Sequence, residues 1–275
     1  MTPKLIALDL DETTLDPTSR LSPANRAALE AAIDRGIEIV VATGRPLGTI
    51  PEEIRTFPGV RYAITGNGAA VCDLKSGEVL QRRLLPAPAV DRILALTEGE
   101  HLTYEAFVQG KAYAQADYIR QPERFLADAQ TKTYVQATRR PVADIVAFIR
   151  QHQAELDSVD LVVGDMDTKR RVTERLRQVD EIYITTSVPR LVELSHADCG
   201  KHRGLQFVSA RLGIAQADTA AFGNADNDAE MLQWAGVGVA VENASETCLA
   251  AADHVTRPHW DDGVAHAFRE LFGIG

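Results

Sequence analysis

The chain has few cysteines and no long apolar run, and both shortages narrow the possible classes of protein. Its three cysteines, Cys72, Cys199 and Cys248, stand far apart, which argues against a disulfide framework and against a zinc site. No window is apolar over the length that a membrane span requires, and no leader-like segment precedes the first strand pattern. We therefore expect a soluble, cytoplasmic chain with reduced thiols and no membrane partner.

Positive charge is also scarce. The sequence has 29 Lys and Arg against 39 Asp and Glu, a formal net charge of −10. This balance argues against a nucleic-acid partner, because a nucleic-acid surface needs a basic stripe. The seven histidines have no metal-ligand spacing. At 275 residues the chain exceeds the usual size of one domain, and we expect a monomer or a small homo-oligomer.

Alternating strand and helix patterns predict an α/β fold with a Rossmann-like, three-layer core and a mostly parallel sheet. Residues 5–8 form an apolar run typical of a strand buried on both faces; a helix follows from Ser22-Pro23, and residues 37–42 form a second strand, which completes a βαβ unit. From about residue 86 the pattern changes to hairpins and helices, with an extended stretch expected at 133–137. We predict a core domain of residues 1–84 and 188–275 and an inserted α/β (α+β) domain of residues 85–187.

Two acids follow the first strand. Asp9 and Asp11 stand where open α/β sheets keep their ligand crevice. Because neighbouring carboxylates repel and burial disfavours their charged forms, we expect a positive group between them. Thr43 and Gly44 end the second strand at the same edge of the sheet. A hydroxyl and a close backbone approach there suit an anionic oxygen, and a plain turn fits the two residues as well.

Three later segments also bring polar residues to the ends of strands or helices. Asn67 lies in a Gly-Asn-Gly stretch, which is typical of a hairpin turn and also suits a ligand contact. Lys201 begins a helix against the dipole preference, which is explained if an anion or a carboxylate needs its charge; a surface lysine is the alternative. Residues 223–228 follow a short buried strand. Their Asn and Asp oxygens suit Mg²⁺, and the same residues suit a helix cap.

Collected in order, these segments resemble the four motifs of the haloacid dehalogenase superfamily, and most closely its Cof-type (subfamily IIB) sugar-phosphatase-like branch. The likeness runs nearly the full length of the chain. Residues 9–13 are similar to the DxDxT motif, residues 41–45 to the second motif, Lys201 to the third, and residues 223–228 to the fourth. The insertion lies where this branch carries its α/β cap.

The resemblance implies a Mg²⁺-dependent phosphatase with an aspartyl-phosphate intermediate. Asp9 is then the nucleophile and Asp11 the general acid and base, with Thr43 and Lys201 completing the catalytic set. Implied contacts with phosphate or substrate lie at Leu10, Thr43, Gly44, Arg45, Asn67, Lys201 and Asn227, and implied metal ligands are Asp9, Asp11, Asn224 and Asp228. The expected substrate is a small phosphorylated metabolite, a sugar phosphate or a phosphorylated cofactor, with the cap reading its leaving group.

Two residues depart from the family pattern. Glu12 stands where the family usually has Gly or another residue that tolerates the turn. Asn224 replaces a metal-binding carboxylate with a neutral amide, so metal affinity should fall unless Asp226 or Asp228 compensates. Two other functions therefore stay open. One is a phosphometabolite-binding protein with a modified metal site, and the other is a phosphomutase of the same superfamily, in which a sugar accepts the phosphoryl group in place of water.

Overall fold

The computed structural model describes residues 2–125, 127 and 129–275. In that part of the chain the strands, numbered β1 to β14 in chain order, are Leu5–Leu8, Glu38–Ala42, Val60–Thr65, Ala70–Asp73, Val79–Arg82, Leu102–Val108, Lys111–Gln115, Arg140–Val142, Leu156–Val163, Ile182–Thr185, Leu191–His196, Thr219–Gly223, Val237–Val241 and His254–Thr256. The α-helices, α1 to α11, are Pro23–Asp34, Glu52–Arg55, Ala87–Thr97, Ala116–Arg120, Ala129–Thr138, Ile145–Gln151, Met166–Leu176, Lys201–Leu212, Ala229–Trp234, Glu246–Ala251 and Gly263–Phe272. None of the helices described has the length and apolarity needed to cross a bilayer.

The described residues divide into two compact units. The larger unit comprises the described residues of Met1–Arg45 together with Ile50–Gln81 and Gly200–Gly275, and the smaller comprises those of Pro46–Thr49 and Arg82–Cys199. The first boundary lies near the expected residue 85, whereas the second differs from the expected residue 188. Strand β11 belongs to the smaller unit because it pairs there with both β9 and β10.

The larger sheet has the strand order β14-β13-β12-β1-β2-β3-β4-β5 among the described residues. Pairing is parallel from β14 to β3, and β3 pairs with β4 antiparallel. Strand β1 is buried on both faces because helices cover both. Leu5 and Ala7 share an apolar cluster with residues of α8 and α9, while on the opposite face Phe222 of β12 contacts Phe268 of α11. The predicted α/β fold with a mostly parallel sheet is confirmed.

The smaller sheet has the order β10-β11-β9-β6-β7-β8. One face packs against α3, α6 and α7 in a continuous apolar cluster. The segment 133–137, predicted to be extended, lies in α5, so that prediction was wrong. The helix places Val135 in a small cluster with Tyr118 and Val162, a contact between distant segments that local β-propensity does not register.

Three carboxylates stand side by side on the other face of the smaller sheet. Asp160 of β9 lies opposite Glu193 of β11 on one side and Glu105 of β6 on the other, and all three are buried. Arg139 forms an ion pair with Glu105, its Nη2 lying 2.5 Å from Oε2. Burial, together with the charges of Glu193 and Glu105, raises the pKa of Asp160 well above its usual range, against the influence of Arg139.

The variant Asp160→Asn should make the stability of the protein less sensitive to rising pH. A carboxyl group whose pKa is raised in the folded state stabilises that state below its unfolded pKa of about 4, and this stabilisation is lost as the pH rises toward the folded pKa. We therefore expect the free energy of unfolding, measured with urea between about pH 5 and about pH 8, to fall more steeply in the wild type than in Asp160→Asn.

The matched control is Asp167→Asn, which removes a carboxylate of the same unit whose side chain is 70% exposed. This variant should keep the wild-type dependence on pH, because an exposed carboxylate keeps much of its hydration in the folded state. Equal pH dependence in the wild type and Asp160→Asn would contradict the prediction.

Candidate active site

The site begins where β1 ends. The Asp9 N–H donates to the carbonyl of Phe222 on neighbouring β12 at 3.1 Å, which extends the parallel ladder by one residue. The chain then makes a tight turn over Leu10–Thr14, in which Asp11 has an extended backbone, with φ −69° and ψ 128°. Within that turn Glu12 has a left-handed backbone, with φ 56° and ψ 16°, and the Thr14 hydroxyl donates to the Asp9 carbonyl at 2.6 Å. The tight turn holds Asp9 at the carboxyl edge of the sheet.

A buried lysine joins the first and fourth motifs. Lys201 is the first residue of α8, and its side chain is 1% exposed. Its Nζ donates to Asp9 Oδ1 at 2.7 Å and to Asp228 Oδ1 at 2.6 Å. The other oxygen of Asp228 accepts the backbone N–H groups of Asn224 and Ala225, at 3.0 and 3.1 Å. The lysine is therefore a buried counter-ion, and the surface alternative was wrong.

Lys201, Asp9 and Asp228 form a buried triad, and its charges do not cancel. With both carboxylates ionised, Asp9 and Asp228 carry one more negative charge than Lys201 offsets. Burial and the charge of Asp228 raise the pKa of Asp9 to about 7, although Lys201 acts in the opposite direction. Burial disfavours the charge of Lys201, but the carboxylates of Asp228 and Asp9 outweigh it and raise the pKa of the lysine. The triad is a suitable place for further positive charge.

Asp11 has a cation of its own. The guanidinium of Arg45 holds both its oxygens, with Nε donating to Oδ2 at 2.7 Å and Nη2 to Oδ1 at 2.6 Å. The sequence predicted one positive group between Asp9 and Asp11. The structure supplies two, because the turn after Asp9 directs Asp11 toward the end of β2 while Asp9 faces Lys201.

The end of β2 supplies the second motif. Thr43 is buried, its N–H donates to the Ile64 carbonyl at 2.9 Å, and its hydroxyl accepts the Arg45 N–H at 3.1 Å. Gly44 lies between them in the same turn. Since β2 pairs with β1 in parallel, this turn and Asp9 follow neighbouring strands, as the sequence predicted.

Leu10, Asn67 and Asn227 are the remaining residues that were predicted to contact phosphate or substrate. The side chain of Leu10 is buried in the core, so its main chain is the part that can face a ligand. Asn67 lies between the antiparallel strands β3 and β4, and this confirms the hairpin interpretation. Its Oδ1 accepts a hydrogen bond from Asn227 Nδ2 at 2.9 Å, so the two asparagines bind each other.

The donors for a divalent cation are oxygen atoms, but few of them are charged. Within the described ranges no three His, Cys, Asp or Glu side chains gather as a metal site, and both oxygens of Asp228 already accept hydrogen bonds. Asp9 Oδ2 accepts no hydrogen bond from the described residues. Asn224 Oδ1 accepts one from the Thr13 hydroxyl at 3.1 Å. A carboxylate and an amide oxygen beside an excess negative charge fit a hard cation such as Mg²⁺, held with fewer charged ligands than usual.

Three residues that hold the turn after Asp9 were missed by the sequence reasoning. Asn25 of α1 donates through Nδ2 to the Thr14 carbonyl at 2.9 Å. Asn243 donates to the Glu12 carbonyl at 3.0 Å, and the ring of His259 lies 2.9 Å from the Leu15 carbonyl through Nδ1. Asn243 and His259 lie more than 200 residues along the chain from the turn, whereas Asn25 lies 11 residues from Thr14. Each is a single polar residue with no motif or periodicity to mark it.

Comparison with known proteins adds an independent finding. A family model described as haloacid dehalogenase-like hydrolase matches residues 6–268. The phosphatase YwpJ of Bacillus subtilis (strain 168) is 30% identical over an alignment of 285 positions, which covers 98% of this chain and 99% of that protein. The 5-amino-6-(5-phospho-D-ribitylamino)uracil phosphatase YcsE of the same organism is 29% identical, with coverage of 97% and 94%. A solved haloacid dehalogenase-like hydrolase from B. subtilis is 26% identical with a TM-score of 0.84, and the match covers 98% of this chain and 99% of that one.

Replacing the buried lysine should destabilise the protein strongly. Lys201→Met leaves two buried carboxylates without their cation, and we expect the free energy of unfolding, measured with urea, to fall by about 3–5 kcal/mol. Adding Asp228→Asn removes one of the stranded charges, so the double variant should lose less than the sum of the two single variants. Losses that simply add would contradict this account of the triad.

The left-handed backbone of Glu12 predicts a ranking of variants. Glu12→Gly should stay within about 1 kcal/mol of the wild-type free energy of unfolding, because relief of strain offsets the greater freedom of glycine in the unfolded chain. Glu12→Val should lose about 1–2 kcal/mol, since β-branched residues are strongly disfavoured at positive φ. Urea unfolding of both variants gives the ranking, and a valine variant as stable as the glycine variant would show that the strain is absent.

Proposed function

This chain belongs to the haloacid dehalogenase-like hydrolases and is a phosphoric monoester hydrolase, and from that premise we propose that it removes phosphate from a small metabolite through attack by Asp9 on phosphorus. The observation that supports this role is the state of the Asp9 carboxylate. Lys201 holds Oδ1 at 2.7 Å, while Oδ2 accepts no hydrogen bond from the described residues. One oxygen is fixed and the other is left for the chemistry.

In the first half-reaction Asp9 Oδ2 forms a bond to phosphorus while the bond from phosphorus to the leaving oxygen breaks. The product is an aspartyl-phosphate, and the leaving oxygen takes a proton from Asp11. In the structure Arg45 holds both oxygens of Asp11. Proton transfer therefore requires Asp11 to release at least one of its two contacts with the guanidinium.

In the second half-reaction water attacks the phosphorus of the aspartyl-phosphate. Asp11, now ionised, accepts the proton from that water. The bond between phosphorus and Asp9 Oδ2 breaks, which releases phosphate and restores the Asp9 carboxylate. The same side chain thus serves first as acid and then as base, and the site returns to its starting state.

The other residues of the site supply position and charge. Lys201 favours the ionised form of Asp9, against the effects of burial and of Asp228, and it offsets charge on the phosphoryl group. The Thr43 hydroxyl orients that group. When bound, Mg²⁺ supplies positive charge where the carboxylate and the phosphate meet. Its ligands would be Asp9, Asn224 and the main-chain carbonyl of Asp11, with Asp228 supporting the loop.

The proposed substrate is a sugar phosphate or a phosphorylated cofactor. The relatives named above support this class, since YcsE is a phosphatase of a phosphorylated ribitylaminouracil. Selection of the leaving group by the inserted unit stays a prediction. So do the cytoplasmic location, the lack of a nucleic-acid partner and the oligomeric state.

The decisive variant is Asp9→Asn. Asparagine keeps an oxygen that can accept from Lys201, so the fold should survive, but an amide is not a nucleophile toward phosphorus. We expect phosphate release from p-nitrophenyl phosphate and from a panel of sugar phosphates, with Mg²⁺ present, to be abolished. Acid quenching of the wild type with a labelled phosphate ester should trap label on the protein, and Asp9→Asn should trap none.

Glu12→Gln is the matched control, because it neutralises a neighbouring carboxylate that lies exposed on the same turn and should leave turnover unchanged. Unchanged turnover in Asp9→Asn would overturn the proposal. Mass spectrometry of the products separates hydrolysis from transfer, since a phosphomutase returns an isomeric sugar phosphate in place of free phosphate.

A further inference from the structure

Asn67 has an unusual backbone for a residue that is not glycine. Its φ is 53° and its ψ is 36°, which places it in the left-handed region, and its side chain is buried. Asparagine tolerates this conformation better than most residues, but the conformation is still disfavoured relative to glycine. The side chain of Asn67 must therefore serve a purpose that glycine at the same position could not.

Three segments of the larger unit are bound to this one residue. Its N–H donates to the Thr43 carbonyl at 3.1 Å, and its own carbonyl accepts the Gly200 N–H at 2.7 Å. Its Oδ1 accepts from Asn227 Nδ2 at 2.9 Å. Gly200 directly precedes Lys201, and Asn227 directly precedes Asp228. Asn67 thus bonds to the residues that directly precede Lys201 and Asp228.

At Gly68 and Gly200 the hairpin turn and the start of α8 meet backbone to backbone. Gly68, next to Asn67, has φ 91°, and a Cβ atom placed on it would lie 2.3 Å from the Gly200 carbonyl oxygen. Gly200 itself has φ 123°. Because no flexible side chain separates the two glycines, the turn sets the position at which the helix and Lys201 begin.

The side chain of Asn227 is held by its bond to Asn67. Asn227 is buried in the short turn before α9, and its Oδ1 has no hydrogen-bond partner among the described residues. Burying an amide with an unsatisfied acceptor is unfavourable. An apolar residue would fill the same space without that cost, but it could not donate the bond that Asn227 makes to Asn67.

We propose that Asn67 is a positioning residue of the active site, which fixes the segments of Lys201 and Asp228 relative to each other and to the turn of Thr43. This inference rests on the proposed function. It differs from the expectation that Asn67 and Asn227 contact the phosphate or the substrate. Lys201 Nζ lies 2.7 Å from one carboxylate and 2.6 Å from the other, so a small displacement of either segment would break one of these contacts.

The test removes the amide bond from each side. Asn67→Gly keeps a residue that is favourable at positive φ and keeps both main-chain bonds, and it removes the side-chain bond to Asn227. Asn227→Ala removes the same bond from the partner. For both variants we expect kcat with p-nitrophenyl phosphate to fall about ten- to hundredfold, the usual scale for misplaced catalytic groups, with little change in KM. The double variant should have a kcat no lower than that of the less active single variant, since all three lose the same bond between Asn67 and Asn227.

Ser19→Gly is the matched control, because Ser19 is another left-handed residue, with φ 58°, in a turn held by main-chain bonds within residues 16–20. It should keep the wild-type kcat. Inhibition by vanadate, which resembles the five-coordinate transition state, should weaken in Asn67→Gly and Asn227→Ala, while inhibition by inorganic phosphate should change little. A role confined to stability would lower the urea midpoint and leave kcat and vanadate inhibition intact, which would overturn the proposal.

A rise in KM at constant kcat would also overturn it, by making Asn67 a substrate contact. If the wild type and Ser19→Gly release no phosphate from any ester, that failure belongs to the proposed function. The positioning role is then decided by the crystal structure of Asn67→Gly. Displacement of Lys201 Nζ from Asp9 or from Asp228 supports the role, and both contacts kept at hydrogen-bond length refute it.

Discussion

A single ammonium group, shared by two buried carboxylates, is the interaction on which the larger unit depends. Lys201 lies at the start of α8 and binds both Asp9, after β1, and Asp228, in the turn before α9. One side chain thus joins two segments that are more than 200 residues apart in the sequence. An ion pair in such a place is stable only when each partner stays hydrogen-bonded. The backbone N–H groups that bind Asp228 meet that condition. With both carboxylates ionised, the three charged groups together keep one net negative charge, which suits the cation of the proposed function.

The loops around this triad obtain their shape from backbone conformations that most residues avoid. Glu12 and Asn67 both have positive φ without being glycine, and both lie where a strand has just ended. A chain that must reverse within a few residues, and still direct a side chain back to the strand end, has few alternatives to the left-handed region. The bonds from Asn243 to the Glu12 carbonyl and from Gly200 to the Asn67 carbonyl hold those conformations in place.

Local chemistry made much of the molecule predictable. The apolar run of β1, the cap at Ser22 and the polar strand ends each carry their own signal, and together they located Asp9 and Thr43 at one edge of the sheet. No such signal marks the hydrogen bond between Asn67 and Asn227. The same is true of the ion pair in which Arg45 binds both oxygens of Asp11. They depend on rotamers and on contacts between distant segments. Strand β11 was placed in the wrong unit for a similar reason, because the identity of its partners is a property of the sheet.

The placement of β1 has a consequence for the order in which the molecule is made. This strand lies inside the larger sheet, yet one of its two partners, β12, begins at Thr219. While a ribosome is still synthesising the middle of the chain, the edge of β1 that pairs with β12 therefore remains unpaired. The strands β6 to β11, by contrast, all lie in one continuous stretch. The smaller unit can complete its own sheet first, and the larger unit can complete its sheet only after β12, β13 and β14 have been synthesised.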